Sequence, residues 1–471
     1  MAGLQDFFGV GVDTVVPADS QRLRLSGKGT RIPLTGIPFE IEMGRQRVQL
    51  YPDLPVNDGS SKKAFDYILF DPQRYFSGIS HFLRLRRGHK VAVDRNDEKQ
   101  KCLFSSPRDA FRRHLQITHE GDALVFRDPI SELGTYVSII GDTEKAVRIT
   151  IRRRQALQHL GEIFGGPIKL LPSEQALDTL QQVNELLRKE PYRPLDSYGN
   201  AGGLLNLPEH LTPIVVGDLH AQFENLLKLL SENMYLEALE KGDAALIFLG
   251  DVVHPEDEKE LSFMDSSILI MDIIFKLKLR FPNNVFMILG NHDSFSLDVM
   301  KGGIPQGLLW ERRIIATRGE AYRDALELFY RQLPLVVKSE HFVACHAGPP
   351  RSTPSREMLV DVRRYPNLFR ELTWTRVKTP RFPAGYTRGD VRRFRKALGV
   401  SENIPFIVAH YPLSRNDTIW LNVRGIPRHH IVFSALPEQV GVFTRIDDEM
   451  VAQIYPAEGL SQWINQTLRD P

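Results

Sequence analysis

The chain has 471 residues, more than one hydrophobic core usually supports, so two or three domains are expected. Its hydrophobic content of 42% and charged content of 25% are ordinary globular values. The net charge of +2 gives no electrostatic argument for nucleic acid or a membrane as partner. Two cysteines, Cys102 and Cys345, are too few for a disulfide framework and fit a reducing compartment. The opening residues lack a basic stretch followed by a long apolar one, and no segment approaches the roughly 20 apolar residues of a spanning helix. A cytoplasmic protein is the expectation.

In chain order, residues 1–65 are rich in Gly and Pro, carry strand-like pieces such as EIEM and RVQLY, and read as an N-terminal extension without chemistry. Residues 66–152 read as all-β, because LRLRRGHKVAVDR, HLQITHEGDALVFRD and GTYVSII alternate apolar and polar residues between turn signals. Arg95, Arg112, His114, Asp128, Ser131, Gly134 and Thr135 fall in an order that resembles the forkhead-associated domain, a β-sandwich that reads phosphothreonine peptides. The resemblance implies that this sandwich meets a protein partner. Phe111 and Leu133 replace two polar recognition residues of that pattern, which implies weak or absent phosphothreonine binding and an apolar contact surface instead.

Residues 153–205 read as a helix and a linker. Apolar residues at 177, 180, 183, 186 and 187 mark one helical face, with Ser173 as candidate cap and Glu174 in the first turn. Pro and Gly in 191–203 then break structure.

From 206 to 471 five apolar runs end in polar residues: PIVV before Gly217-Asp218-Leu219-His220, AALIFL before Gly250-Asp251, NVFMIL before Gly290-Asn291-His292-Asp293, HFVAC before His346, and IPFIVA before His410. Each run is short, rich in Val, Ile and Phe, and reads as a buried strand. In open α/β sheets ligands bind at the carboxyl ends of strands, so these residues should gather at one edge. Carboxylate, amide and imidazole groups together suit divalent Mn, Fe or Zn. Taken singly, each residue has an ordinary structural explanation, such as a helix cap for Asp218 or a core histidine for His346 and His410. His429 and His430 are read as core or surface histidines, and the RRFRK run (392–396) as a solvated helix face.

The ordered set D-x-H, G-D-x-x, G-N-H-D, H-A-G and a final His resembles the calcineurin-like metallophosphoesterase superfamily, and most closely its phosphoprotein phosphatase branch. The resemblance implies a four-layer αββα domain behind a separate all-β sandwich. It implies two divalent ions, manganese first among the candidates, one held by Asp218, His220 and Asp251 and the other by Asp251, Asn291, His346 and His410. Two ions about 3.5–4 Å apart activate a water to hydroxide and clamp an in-line displacement. His292 would stand as general acid, and Arg388, in Thr387-Arg388-Gly389, would grip phosphate. GDVVHPED departs from the family pattern: His254 stands where an Asp orients the catalytic histidine, and Pro255 where an Arg grips phosphate. His254 could still orient His292, or Glu256, Asp257 or Asp293 could take over. The implied activity is hydrolysis of phosphate monoesters on phosphoproteins. The alternatives are a small-molecule phosphohydrolase or phosphodiesterase, favoured by LGNHD, and a low-activity signalling scaffold, favoured by the losses at 111, 133, 254 and 255.

Overall fold

The computed structural model describes residues 13–14, 22–25, 27–34, 38–43, 46–53, 66–70, 83–93, 115–128, 134–139, 143–256, 263–301, 303–415, 417–446 and 448–468. The chain divides into two compact units, 1–152 and 153–471. In the first, one sheet runs Asp13–Thr14, Thr30–Pro33, Ala123–Arg127, Leu115–His119, Lys90–Val93. The other runs Arg22–Arg24, Thr135–Ile139, Phe39–Met43, Gln46–Asp53, Asp66–Phe70, Leu83–Leu85. Phe39, Ile41 and Met43 point inward while Glu40 and Glu42 lie nearer solvent. They meet Ile32, Leu124 and Phe126 of the other sheet in a common core, which makes the unit a β-sandwich. Residues 1–65, which read as an extension, thus supply strands to both sheets: the strand-like EIEM and RVQLY lie in Phe39–Met43 and Gln46–Asp53, while Arg22–Arg24 and Thr30–Pro33 are too short for a period-2 signal.

Of the residues that resemble the forkhead-associated pattern, Arg95, Arg112, His114 and Ser131 lie outside the described residues, as do the two departures from it, Phe111 and Leu133. Asp128 and Thr135 are buried, and the Thr135 amide donates to Asp128 Oδ2 at 3.1 Å beside Gly134 in a left-handed turn.

The second unit contains two further sheets. The first runs Val285–Met287, Ala244–Phe248, Thr212–Val216, Gln439–Ile446, Glu449–Pro456. The second runs Leu204–Asn206, Val336–Lys338, Val343–Cys345, Phe406–Val408, His429–Val432, Ile419–Trp420. Val215, Ile247, Leu249, Phe286 and Ile288 of the first interleave with Val337, Ala344, Ile407 and Val432 of the second. Helices Phe223–Leu230, Tyr235–Lys241 and Asp265–Arg280 pack on the outer face of the first sheet. On the second, the helix Arg388–Ala397 sets Phe394 edge-on against Phe406 at 5.7 Å. The layering is therefore helix, sheet, sheet, helix. Burial on both faces explains why the site-bearing strands read as continuous apolar runs rather than alternations.

Two local expectations change. The helix at 173 spans Ser173–Arg188 with Pro172 at its N-cap; Ser173 is not the cap, and its hydroxyl donates to Thr317 O at 3.1 Å. The 191–203 stretch is not a loose tether. Arg193 is buried there, ion-paired to Glu190 at 2.9 Å and donating to the carbonyls of Ala201, Gly202 and Gln332.

A candidate metal centre

Thr212–Val216, Ala244–Phe248 and Val285–Met287 run parallel, as do Val343–Cys345 and Phe406–Val408. Their carboxyl ends therefore emerge at common edges. The sheets join there: Asp218 bridges to Phe433, and the Ser434 amide donates to Asp218 O at 2.9 Å. Gly217 makes this approach possible, since a Cβ on it would stand 2.2 Å from Val432 O. Gly290 plays the same part between two site loops, where a Cβ would meet Asp251 Oδ1 at 2.2 Å.

Two groups of ligand-type atoms result, each within 4.8 Å: Asp218, His220 and Asp251, and Asp251, His346 and His410. Asp251 belongs to both. Asn291 joins the second, its Oδ1 2.9 Å from His346 Nε2. That same Nε2 lies 3.3 Å from Asp251 Oδ2, so a proton or a cation must stand among the three atoms. The other ring nitrogen, Nδ1, donates to Leu249 O at 2.7 Å, which directs Nε2 into the site. His220 is oriented alike, its Nδ1 donating to His254 O at 3.0 Å.

The backbone is strained where it presents these groups. His220, Asp251, His254 and His410 all have left-handed φ, at 41°, 51°, 68° and 67°. Such conformations cost about 1–3 kcal/mol each and persist where surrounding bonds hold them. Here the amides of Leu219 and His220 donate to Asp251 O, and that of His410 donates to Asp218 Oδ1 at 3.1 Å.

The electrostatics ask for cations. Burial raises Asp218 to about 7, with Asp251 adding to the shift, and burial followed by Asp251 raises Asp293 to about 7. Burial would also raise Asp251, but the charges of His346 and His292 more than offset it and hold it well below the usual range. Burial pulls His346 down, yet Asp251 and Asp218 raise it to about 9. His410 stays neutral, through burial first and the charge of His346 second. Two carboxylates within 4.8 Å of each other repel by roughly 3–4 kcal/mol at an effective dielectric near 20. Asp218 Oδ2 and His410 Nε2 are both buried without a hydrogen-bond partner. Hard oxygen and imidazole donors with open lone pairs fit divalent ions.

The remaining sequence candidates take different places. His292 lies beside the cluster, its ring 5.4 Å from that of His220 and 5.5 Å from that of His254. His254 does not orient that ring directly; its Nε2 donates to the His292 main-chain carbonyl at 3.0 Å, and the buried His292 Nδ1 has no hydrogen-bond partner. Glu256 faces His220 Nε2 at 3.7 Å instead, and Asp257 lies outside the described residues. Arg388 is exposed in the first turn of its helix, behind a capping box of Thr387 and Asp390.

Two residues acquire roles that sequence gave little hint of. Asp293 Oδ2 accepts the amides of Asp251 and Gly290, at 2.8 and 2.9 Å, and so fixes the loop that carries the shared carboxylate. Arg376, half-buried, sits 4.7 Å from the Tyr411 ring and 4.8 Å from that of Phe382, close enough to act on the charge of His410, with its buried Nε unpartnered. The Asp293→Ala variant should lose about 10–100-fold in divalent-metal affinity, the usual cost of removing an outer partner of a ligand, as measured by titration calorimetry.

His429 is a satisfied core histidine, bonded to Tyr386 Oη at 2.8 Å and Phe406 O at 3.1 Å. In the RRFRK run Arg392 and Arg393 are exposed, whereas Arg395 is buried and donates to Arg428 O at 2.8 Å.

Comparison with known proteins places this site in context. Residues 211–427 match the family described as calcineurin-like phosphoesterase. Among curated proteins, the serine/threonine-protein phosphatase BSL2 of Arabidopsis thaliana is 30% identical over 160 residues, 32% of this chain and 14% of that protein. The PP2A-like serine/threonine-protein phosphatase PPG1 of Candida albicans is 29% identical over 211 residues, 44% of this chain and 41% of that protein. The chain thus spans less than half the length of either relative. A protein serine/threonine phosphatase from Saccharomyces cerevisiae with similarity to human phosphatase PP5 superposes with a TM-score of 0.45 at 17% identity, over 61% of this chain and 90% of that one. The chain therefore contains a calcineurin-like phosphoesterase domain over residues 211–427.

Proposed function

We propose that the protein hydrolyses phosphate monoesters on phosphoproteins, with one divalent ion held by Asp218, His220 and Asp251 and a second by Asp251, Asn291, His346 and His410. The observation that carries the reading is the single carboxylate, Asp251, common to two ligand groups. Bound there, two divalent ions supply an activated water and neutralise charge on the phosphoryl oxygens.

The chain's own residues do the rest. Asp293 and the strained loops hold the ligands in place before substrate arrives, which limits reorganisation during reaction. Arg376 takes the phosphate-gripping role that Pro255 vacates, because its guanidinium is braced by two aromatic rings beside His410. Arg388, exposed in the first turn of its helix, is the second candidate for that role. His292, whose amide donates to Asp251 Oδ1 at 2.7 Å, serves as the acid that protonates the leaving group. Phosphoprotein substrates are supported by the names of both curated relatives, which are serine/threonine-protein phosphatases.

The test is a paired assay with manganese on p-nitrophenyl phosphate, a phosphothreonine peptide and bis-p-nitrophenyl phosphate. Turnover of the first two well above the diester is expected. A preference for the diester would make the protein a phosphodiesterase, and turnover of none would leave the scaffold reading.

A further inference from the structure

Charge is not spread evenly along this chain. Residues 351–396 hold 13 Lys and Arg against four Asp and Glu, a local balance of +9 in a protein of +2, so the remainder carries −7. This segment joins the strand that presents His346 to the strand that presents His410, and its residues Trp374 and Arg376 lie beside His410. Trp374 stands edge-on to His410 with ring centres 6.3 Å apart. With Arg351, Asn367, Arg370 and Thr375, Trp374 lines an open cavity of about 710 Å³. Arg351 is paired with Glu371 at 3.0 Å, while Arg370 opens to solvent. Across Arg376, the exposed Arg381 lies 5.8 Å from the Phe382 ring, and its charge acts on Arg376.

We propose that this arginine-rich rim binds acidic side chains on either side of the phosphorylated residue, so that the preferred substrates are phosphoproteins with Asp- and Glu-rich sequence around the phosphosite. The proposal rests on the phosphatase reading above and adds the substrate class. Guanidinium groups match carboxylates in geometry as well as charge. Each exposed contact is weak alone, so selectivity comes from several acting together and fades as salt screens them.

The test uses the full chain, p-nitrophenyl phosphate and three phosphothreonine peptides of equal length flanked by Asp and Glu, by Ala or by Lys. At low salt kcat/KM should fall by about tenfold or more from the acidic to the basic peptide, and the spread should narrow at about 0.5 M salt. The double variant Arg351→Glu, Arg370→Glu, at two arginines that line the cavity beside Trp374, should lose most of that preference while turnover of p-nitrophenyl phosphate stays within about twofold, which also shows that the variant is folded. A flat ranking with normal p-nitrophenyl phosphate turnover overturns the rim and leaves the phosphatase reading standing. If nothing is turned over, the phosphatase reading fails, and fluorescence anisotropy with the acidic peptide judges the rim alone. Binding weakened by the double variant supports it, and binding indifferent to the variant overturns it. Tighter binding of a single-stranded oligonucleotide of equal charge would also overturn it.

Discussion

The Asp251→Asn variant should fold and lose phosphoester turnover, by well over the roughly 10–100-fold that removal of an outer partner costs a metal site. The folding half of that expectation follows from geometry. Asp251 Oδ1 accepts the His292 amide at 2.7 Å, and an asparagine oxygen in the same place keeps that bond. The Asp251 amide and carbonyl, which hold Asp293, Leu219 and His220, are untouched by the change. The chemical half follows from charge. Among the described residues Asp251 is the carboxylate common to both ligand groups, so both lose an anionic ligand together. Side-chain replacements at His220 or His410 alter one group each and should leave more activity. Steady-state rates on p-nitrophenyl phosphate, with circular dichroism on the same samples, check the ranking.

Turnover of alkyl phosphates should be slow relative to aryl phosphates, and the His292→Asn variant should widen the gap. An alkoxide leaving group needs a proton, and a positioned general acid typically contributes about 10²–10⁴-fold, whereas a nitrophenolate leaves without one. Burial lowers His292 to about 4; Asp251 opposes this, and His220 and His346 reinforce it. The ring is therefore neutral near pH 7 and a reluctant donor. Its Nδ1 receives no support, because His254, itself held neutral by burial and by His292, spends its Nε2 proton on the main-chain carbonyl. A carboxylate at 254 would face that carbonyl oxygen rather than the ring, so His254→Asp should not restore acid catalysis as the family pattern alone suggests. Loss of activity on alkyl phosphate that exceeds the loss on aryl phosphate supports this role for His292. Equal losses would place His292 in binding the phosphoryl group rather than in protonating the leaving group.

Much of the catalytic unit was legible in the chain because its strands are buried on both faces and end where chemistry begins. PIVV, AALIFL and IPFIVA needed no alternation to be recognised, and the polar residue after each marked the edge that the parallel pairing then confirmed. In the N-terminal sandwich the strand-like pieces EIEM and RVQLY and the strands after 66 were legible, while the place of residues 1–65 in the sheets was not. Strands such as Arg22–Arg24 and Thr30–Pro33 are three or four residues long, too short for a period to show. What stayed hidden at the site depends on residues far apart in sequence. Asp293 reads as a carboxylate that could orient His292, and its hold on the Asp251 amide, 42 positions away, appears only in the fold. Arg376 lies in WTRVKTP, with no periodicity or motif to single it out, until Phe382 and Tyr411 fold around it.

If Asp251 is shared by two ions, the metal content of the protein will show it. Protein stripped with a chelator and reloaded with manganese should retain about two ions per chain by elemental analysis, with p-nitrophenyl phosphate turnover rising in step with loading. In the Asp251→Asn variant the content should fall below one ion per chain under the same conditions. Retention of two ions by that variant, or full turnover by the stripped wild-type protein, would contradict the account.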